Sequence, residues 1–74
     1  MFETIKEVIM QYAEVDPDEI TESSRLRSDI GLSSFDIVNI AVELEGEFGV
    51  SIPDEVIPTL KSVEDYMDYI SAKK

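Results

Sequence analysis

Among the chain's 74 residues there is no histidine and no cysteine. That removes the commonest general base and metal ligand. It also removes every thiolate nucleophile and every disulfide. An enzyme acting alone would then need a carboxylate pair or a metal, and one hydroxyl stands out by position. Ser34 lies in Asp29-Ile30-Gly31-Leu32-Ser33-Ser34-Phe35-Asp36, where a loop gives way to an acidic helix. A phosphate ester on that hydroxyl would sit beside unpaired backbone N–H groups at the positive end of the helix dipole. Gly31 keeps the approach uncluttered. The competing reading is structural, because a serine at a helix start is ordinarily a cap.

Ser33 and Ser34 compete for that capping position. With Ser33 as cap, Asp36 falls three residues on, where a near capping box needs a carboxylate, and Leu32 with Ile37 form a flanking hydrophobic staple. With Ser34 as cap, the reciprocating position holds Ile37, which cannot accept a hydrogen bond. The local physics therefore predicts Ser33 as cap and leaves the Ser34 hydroxyl free. The other chemical candidates are the carboxylate pairs Asp54 with Glu55 and Glu43 with Glu47. Solvated helix faces explain both pairs better than acid–base catalysis by the chain alone. The acidic clusters match no dedicated calcium loop.

The elements that position these residues follow from periodicity. Phe2, Ile5, Val8, Ile9 and Tyr12 recur at helical spacing, so residues 2–14 read as an amphipathic helix stopped by Asp16-Pro17-Asp18. Residues 15–33 read as a long connection whose Ile20, Leu26, Ile30 and Leu32 should pin it to the core. Loops of that length in compact domains are often functional. The second helix should start at Ser33 or Ser34 and run to about Phe48, with Gly49 as its stop. A short third helix is expected from Asp54 as cap to about Leu60, with Pro58 in its first turn. Ser62-Val63-Glu64-Asp65 resembles a capping box and opens a last helix with Val63, Tyr66, Met67 and Ile70 as its core stripe. Lys73 and Lys74 favour the C-terminal end of its dipole. No segment reads as a convincing strand. The expected fold is all-α: a small four-helix bundle in one domain, residues 1–74, with three main helices, a short third helix and a long loop after the first.

On a helical wheel the second helix has two apolar stripes. Ile37, Ile40, Ala41, Leu44 and Phe48 share one face, and Phe35, Val38 and Val42 share another close to the bearing of Ser34. Asp36, Glu43 and Glu47 cluster on the far side, with Asn39 at the edge. One stripe suffices for bundle packing. The second is either further core or an apolar strip edged by carboxylates, which suits a basic docking surface.

Six basic and 17 acidic residues give a net charge of -11 and a pI near 4.1, and residues 34–49 contain no cation. Such a balance disfavours binding to nucleic acid or anionic membrane and favours basic protein partners. The 43% hydrophobic content argues against disorder. No secretory signal or membrane-length apolar run is present, so the chain reads as soluble and cytoplasmic, and a monomer is expected.

The sequence resembles the acyl carrier protein family. The resemblance rests on Asp29 to Asp36, then on Glu43-Leu44-Glu45-Gly46-Glu47-Phe48-Gly49-Val50-Ser51-Ile52-Pro53-Asp54-Glu55, and finally on Ser62-Val63-Glu64-Asp65-Tyr66-Met67-Asp68-Tyr69-Ile70. Together these cover essentially the whole chain. The resemblance implies a 4′-phosphopantetheine arm, derived from coenzyme A, on the serine matching Ser34. It implies a carrier rather than an enzyme, a substrate of a phosphopantetheinyl transferase. The arm would hold acyl groups as thioesters for the enzymes of fatty acid, polyketide or related acyl-transfer pathways. It further implies that the second helix meets basic patches on those enzymes, with Phe35, Asp36, Val38, Asn39, Val42, Glu43 and Glu47 as candidate contacts. Sequestration of an acyl chain in the parted bundle makes Ile40, Leu44, Val56, Ile57 and Leu60 candidate lining residues. The chain departs from the family pattern at Ser33, where an aspartate is usual, at Phe35, where a leucine is usual, and at Asn39, where fatty-acid carriers often have a carboxylate. These departures point toward a specialised carrier. The change at Ser33, together with the double apolar stripe of the second helix, motivates the alternative of an interaction module that keeps the fold without the prosthetic group.

Overall fold

A computed structural model describes residues 1–73. Its α-helices are α1 (Phe2–Met10), α2 (Ser34–Phe48) and α3 (Val63–Lys73), and no strand forms among the described residues. Ile5, Val8 and Ile9 of α1, Ile37, Ile40, Ala41 and Leu44 of α2, and Val63, Tyr66 and Ile70 of α3 close on one core. The stripes read from the 3.6-residue period are thus the faces that meet, and each fully buried aliphatic side chain contributes about 1.5–3 kcal/mol by leaving water. Met67, from the expected α3 stripe, packs against this core half-buried. The expected role of Lys74 lies outside the described residues, while Lys73 places its ammonium 5.5 Å from the centroid of the Tyr69 ring.

α1 is shorter than its periodicity predicts, ending at Met10 rather than near residue 14. Gln11 N–H donates to the Val8 carbonyl and Tyr12 N–H to the Ile9 carbonyl, at 3.1 and 2.9 Å. These bonds tighten the last turn, so Tyr12 and Ala13 keep their packing against the core without continuing the helix. The long connection behaves as its apolar residues predict: Ile20, Leu26, Ile30 and Leu32 are all buried. It is not structureless, since Pro17–Glu19 form a 3₁₀ turn. The connection is also tied to the segment that opens α3. Leu26 N–H donates to the Lys61 carbonyl at 3.0 Å, Val63 N–H to Ser24 at 3.1 Å and Glu64 N–H to Glu22 at 2.8 Å. The last two bonds satisfy donors that a helix start otherwise leaves open.

α2 begins as the local physics predicts. Ser33 has extended backbone, its hydroxyl accepts from Asp36 N–H at 3.1 Å, and the Asp36 carboxylate accepts from Ser33 N–H at 3.3 Å. Gly49 ends the helix at φ +66°, and its N–H donates to the Glu45 carbonyl at 2.8 Å. A left-handed residue there is the ordinary glycine stop. α3 starts with the second box: Ser62 Oγ accepts from Asp65 N–H at 3.2 Å, and Asp65 Oδ2 accepts from Lys61 and Ser62 N–H at 2.9 and 3.2 Å.

The expected short third helix closes instead as a single 3₁₀ turn, Ile57–Thr59. Asp54 does not cap it. The Pro53 carbonyl receives the N–H groups of Val56 and Ile57, and Thr59 and Leu60 donate to Val56 and Ile57. Pro58 supplies no N–H, so the bond that an α-helix would make from residue 58 to the Asp54 carbonyl cannot form. What remains is a tight turn that still buries Ile57 and Leu60.

Candidate functional site

Ser34 is exposed at the first position of α2, one residue beyond its cap. Its hydroxyl is not spent on the helix. The Arg27 guanidinium donates to Ser34 Oγ at 2.7 Å. Arg27 is placed by a compact turn built from local bonds. Asp29 and Ile30 N–H donate to the Arg25 carbonyl at 3.0 Å each, and Asp29 Oδ2 accepts from Arg25 N–H at 2.8 Å. The buried Leu26 anchors this turn, and its carbonyl accepts from Leu32 N–H at 2.9 Å. Gly31 reverses the chain at φ +85°, a conformation that favours glycine, and delivers Ser33 to the cap.

Beside Ser34 lies a cavity of about 580 Å³, lined by the start of α2, the turn around Ile57 and the Arg25–Ser28 loop. Leu26, Ile37, Val38, Ile57, Pro58 and Leu60 form its apolar wall. Arg25, Arg27 and Lys61 also line it, so three of the chain's six cations meet there, with Asp54 the lone carboxylate lining it among the described residues. On a body of net charge -11 this is a local reversal of sign. Its size falls within the range usual for small-molecule sites, about 300–1,000 Å³.

Of the candidate lining residues, Ile57 and Leu60 face this cavity, whereas Ile40, Leu44 and Val56 do not line it. Ile40 and Leu44 are wholly buried in the core. The second stripe of α2 is solvent-facing: Phe35 is 76% exposed, Val42 57% and Val38 44%, far more than any core residue of the same helix. Asp36 is held in the capping box, and Asn39 Nδ2 donates to the Phe35 carbonyl at 3.1 Å. Glu43 and Glu47 lie apart from Ser34, in a smaller cleft of about 270 Å³ against Thr4, Glu7, Val8 and Gln11. Glu43 acts on Tyr12, whose phenol pKa is raised first by hydrogen bonding to that carboxylate, then by burial and by the charges of Glu43 and Asp36. The residues that sequence reasoning did not single out are Arg25, Arg27 and Lys61. The available signal was a pair of arginines in an acidic loop, the second only seven positions before Ser34.

A sequence model for the family described as the phosphopantetheine attachment site matches residues 3–70. The chain belongs to the acyl carrier protein family. It is 36% identical over all of its length to an acyl carrier protein of Wolinella succinogenes, of which it covers 97%. It is 37% identical over 99% of its length to that of Helicobacter hepaticus, covering 96%. It is also 35% identical over 97% of its length to that of Zymomonas mobilis subsp. mobilis, covering 92%. As a member of this family the chain is a carrier rather than an enzyme, a substrate for a phosphopantetheinyl transferase, and its prosthetic group is 4′-phosphopantetheine. The family works with transferase and synthase enzymes. No helix among the described residues is long and apolar enough to cross a membrane.

The local chemistry fits a phosphodiester-linked arm. An exposed hydroxyl at a helix N-terminus has a guanidinium in hydrogen-bond contact and two further cations around the adjoining cavity. Guanidinium pairs well with phosphate oxygens. The neighbouring apolar wall suits a largely non-ionic chain.

Proposed function

We propose that Ser34 carries the 4′-phosphopantetheine arm and that residues 1–74 act as one carrier domain for thioester-bound acyl groups. When attached, the arm supplies the thiol that this cysteine-free chain lacks. The observation that carries the assignment is the exposed Ser34 hydroxyl, released from capping by Ser33 and held by Arg27 at 2.7 Å. Arg27 and the open N–H groups of the first turn of α2 would hold the phosphodiester charge, offsetting repulsion from the acidic body. Phe35, Val38 and Val42 present an exposed apolar strip for partner enzymes, with Glu47 among the flanking carboxylates available to basic docking patches. Cytoplasmic acyl-transfer pathways, including fatty acid and polyketide assembly, are the settings in which such a monomeric carrier would work.

The test is direct. Apo protein is incubated with coenzyme A, magnesium and a broad-specificity phosphopantetheinyl transferase, and intact mass is measured. One added phosphopantetheine is expected in the wild type and in Ser33→Ala, and none in Ser34→Ala. No gain with several transferases, or undiminished gain in Ser34→Ala, overturns the assignment.

A further inference from the structure

Arg27 accounts for one charge beside Ser34, but the cavity has two further cations. Arg25 and Lys61 are distant in sequence and are brought together by the loop-to-α3 pairing, in which Arg25 stands opposite Ser62 and Leu26 N–H reaches the Lys61 carbonyl at 3.0 Å. Both side chains are exposed at the rim, and both line the same cavity as Ser34. The same cavity has an apolar wall that includes Ile37, Ile57 and Leu60. One cavity therefore joins a phosphate-pairing group, a hydrocarbon surface and two further positive charges. A ligand matching it, held at Ser34, combines an apolar part with a further anionic group.

We propose that Arg25 and Lys61 form a carboxylate-recognising rim, so that this carrier favours acyl groups ending in a second, free carboxylate over neutral acyl groups of equal length. The inference rests on Ser34 bearing the arm and deepens that reading by naming the cargo class. The chemistry is one of pairing, with no bond made or broken. The charged groups lining the cavity are Arg25, Arg27, Lys61 and Asp54, with Arg27 in contact with Ser34 Oγ. Asp29 lies beside Arg25, its carboxylate engaged by the Arg25 N–H.

The sign of one measurement decides the matter. A carboxylate placed near a body of charge -11 has its pKa raised, because like charge disfavours ionisation. A carboxylate paired with Arg25 and Lys61 has it lowered. Apo protein is loaded by the transferase from coenzyme A thioesters of succinate and adipate, labelled with ¹³C at the free carboxyl, and from butyryl and hexanoyl thioesters as neutral partners. The carboxyl pKa is read by ¹³C NMR against the same acyl group on free pantetheine. With at least one of the two diacids a fall of roughly half a pH unit is expected, the scale of exposed ion pairs. The amide signals of Leu26 and Lys61 should shift in that diacid form and not in its neutral partner. In Arg25→Gln/Lys61→Gln, checked for native circular dichroism, the pKa should rise above that of the free reference. A pKa at or above the reference for both diacids in the wild type overturns the rim. Failure of coenzyme A itself to add mass is the separate result that overturns Ser34 as the attachment point.

Discussion

Replacing Ser33 and Ser34 one at a time by alanine separates two jobs that adjacent hydroxyls perform. Ser33 makes both halves of the capping box, at 3.1 Å from Asp36 N–H to its hydroxyl and 3.3 Å from its own N–H to the Asp36 carboxylate. Ser33→Ala deletes the first bond and leaves Asp36 N–H without its cap. Substitutions of this kind cost about 1 kcal/mol. For a domain of this size that lowers the melting temperature by roughly 4–8 °C. Ser34→Ala removes only an exposed contact with Arg27, made by a side chain that caps nothing. Alanine is at least as good a helix former, so the expected stability change is within about 0.5 kcal/mol. Thermal and urea unfolding followed by far-ultraviolet circular dichroism measure the stabilities, and intact mass after transferase treatment measures modification. Ser33→Ala should be less stable yet modified, and Ser34→Ala equally stable yet unmodified. A larger stability loss in Ser34→Ala than in Ser33→Ala would refute the division of labour.

Tyr66 is almost wholly buried, and its hydroxyl has no hydrogen-bond partner among the described residues, so burial pushes its pKa from 10.0 up to about 12. The unfolded chain then releases this proton first as pH rises above about 10, and stability falls with a slope of up to about 1.4 kcal/mol per pH unit until the folded phenol also ionises near 12. Urea titrations across that window should show the fall, and Tyr66→Phe should flatten it while leaving neutral-pH stability unchanged or raised. Gly31→Ala meets open space but must hold φ +85°, so it should lose about 1 kcal/mol in equilibrium unfolding from backbone strain alone. Charge reversal of the exposed Glu47 should slow transferase association several-fold at low salt, an effect that stopped-flow binding should see shrink as ionic strength rises. An on-rate indifferent to both changes removes the acidic surface from docking.

Local devices were legible because their partners are three or four residues apart. Both serine boxes, the Gly49 stop and the apolar face of each helix follow from spacing along the chain. The burial of Ile20, Leu26, Ile30 and Leu32 was legible too, since a long connection in a small domain has few other ways to stay compact. Boundaries were less so. α1 stops at Met10 by a change in hydrogen-bond register that leaves Tyr12 packed, and periodicity records packing rather than register. Pro58 reads as harmless in a first turn, yet over so short a segment its missing donor decides between an α and a 3₁₀ turn.

From sequence alone came an all-helical acidic chain, Ser33 as cap, Ser34 as the free hydroxyl and the resemblance to acyl carriers. Only the tertiary structure decided what surrounds that hydroxyl. Arg27 reaches it because the turn at 25–30 folds back on α2, and Lys61 joins Arg25 because backbone pairing draws the loop against the start of α3. The exposure of Phe35, Val38 and Val42 was likewise undecided until α2 had neighbours. Helical spacing fixes which residues share a face, whereas the charge and shape of a cavity depend on contacts between segments far apart in the chain.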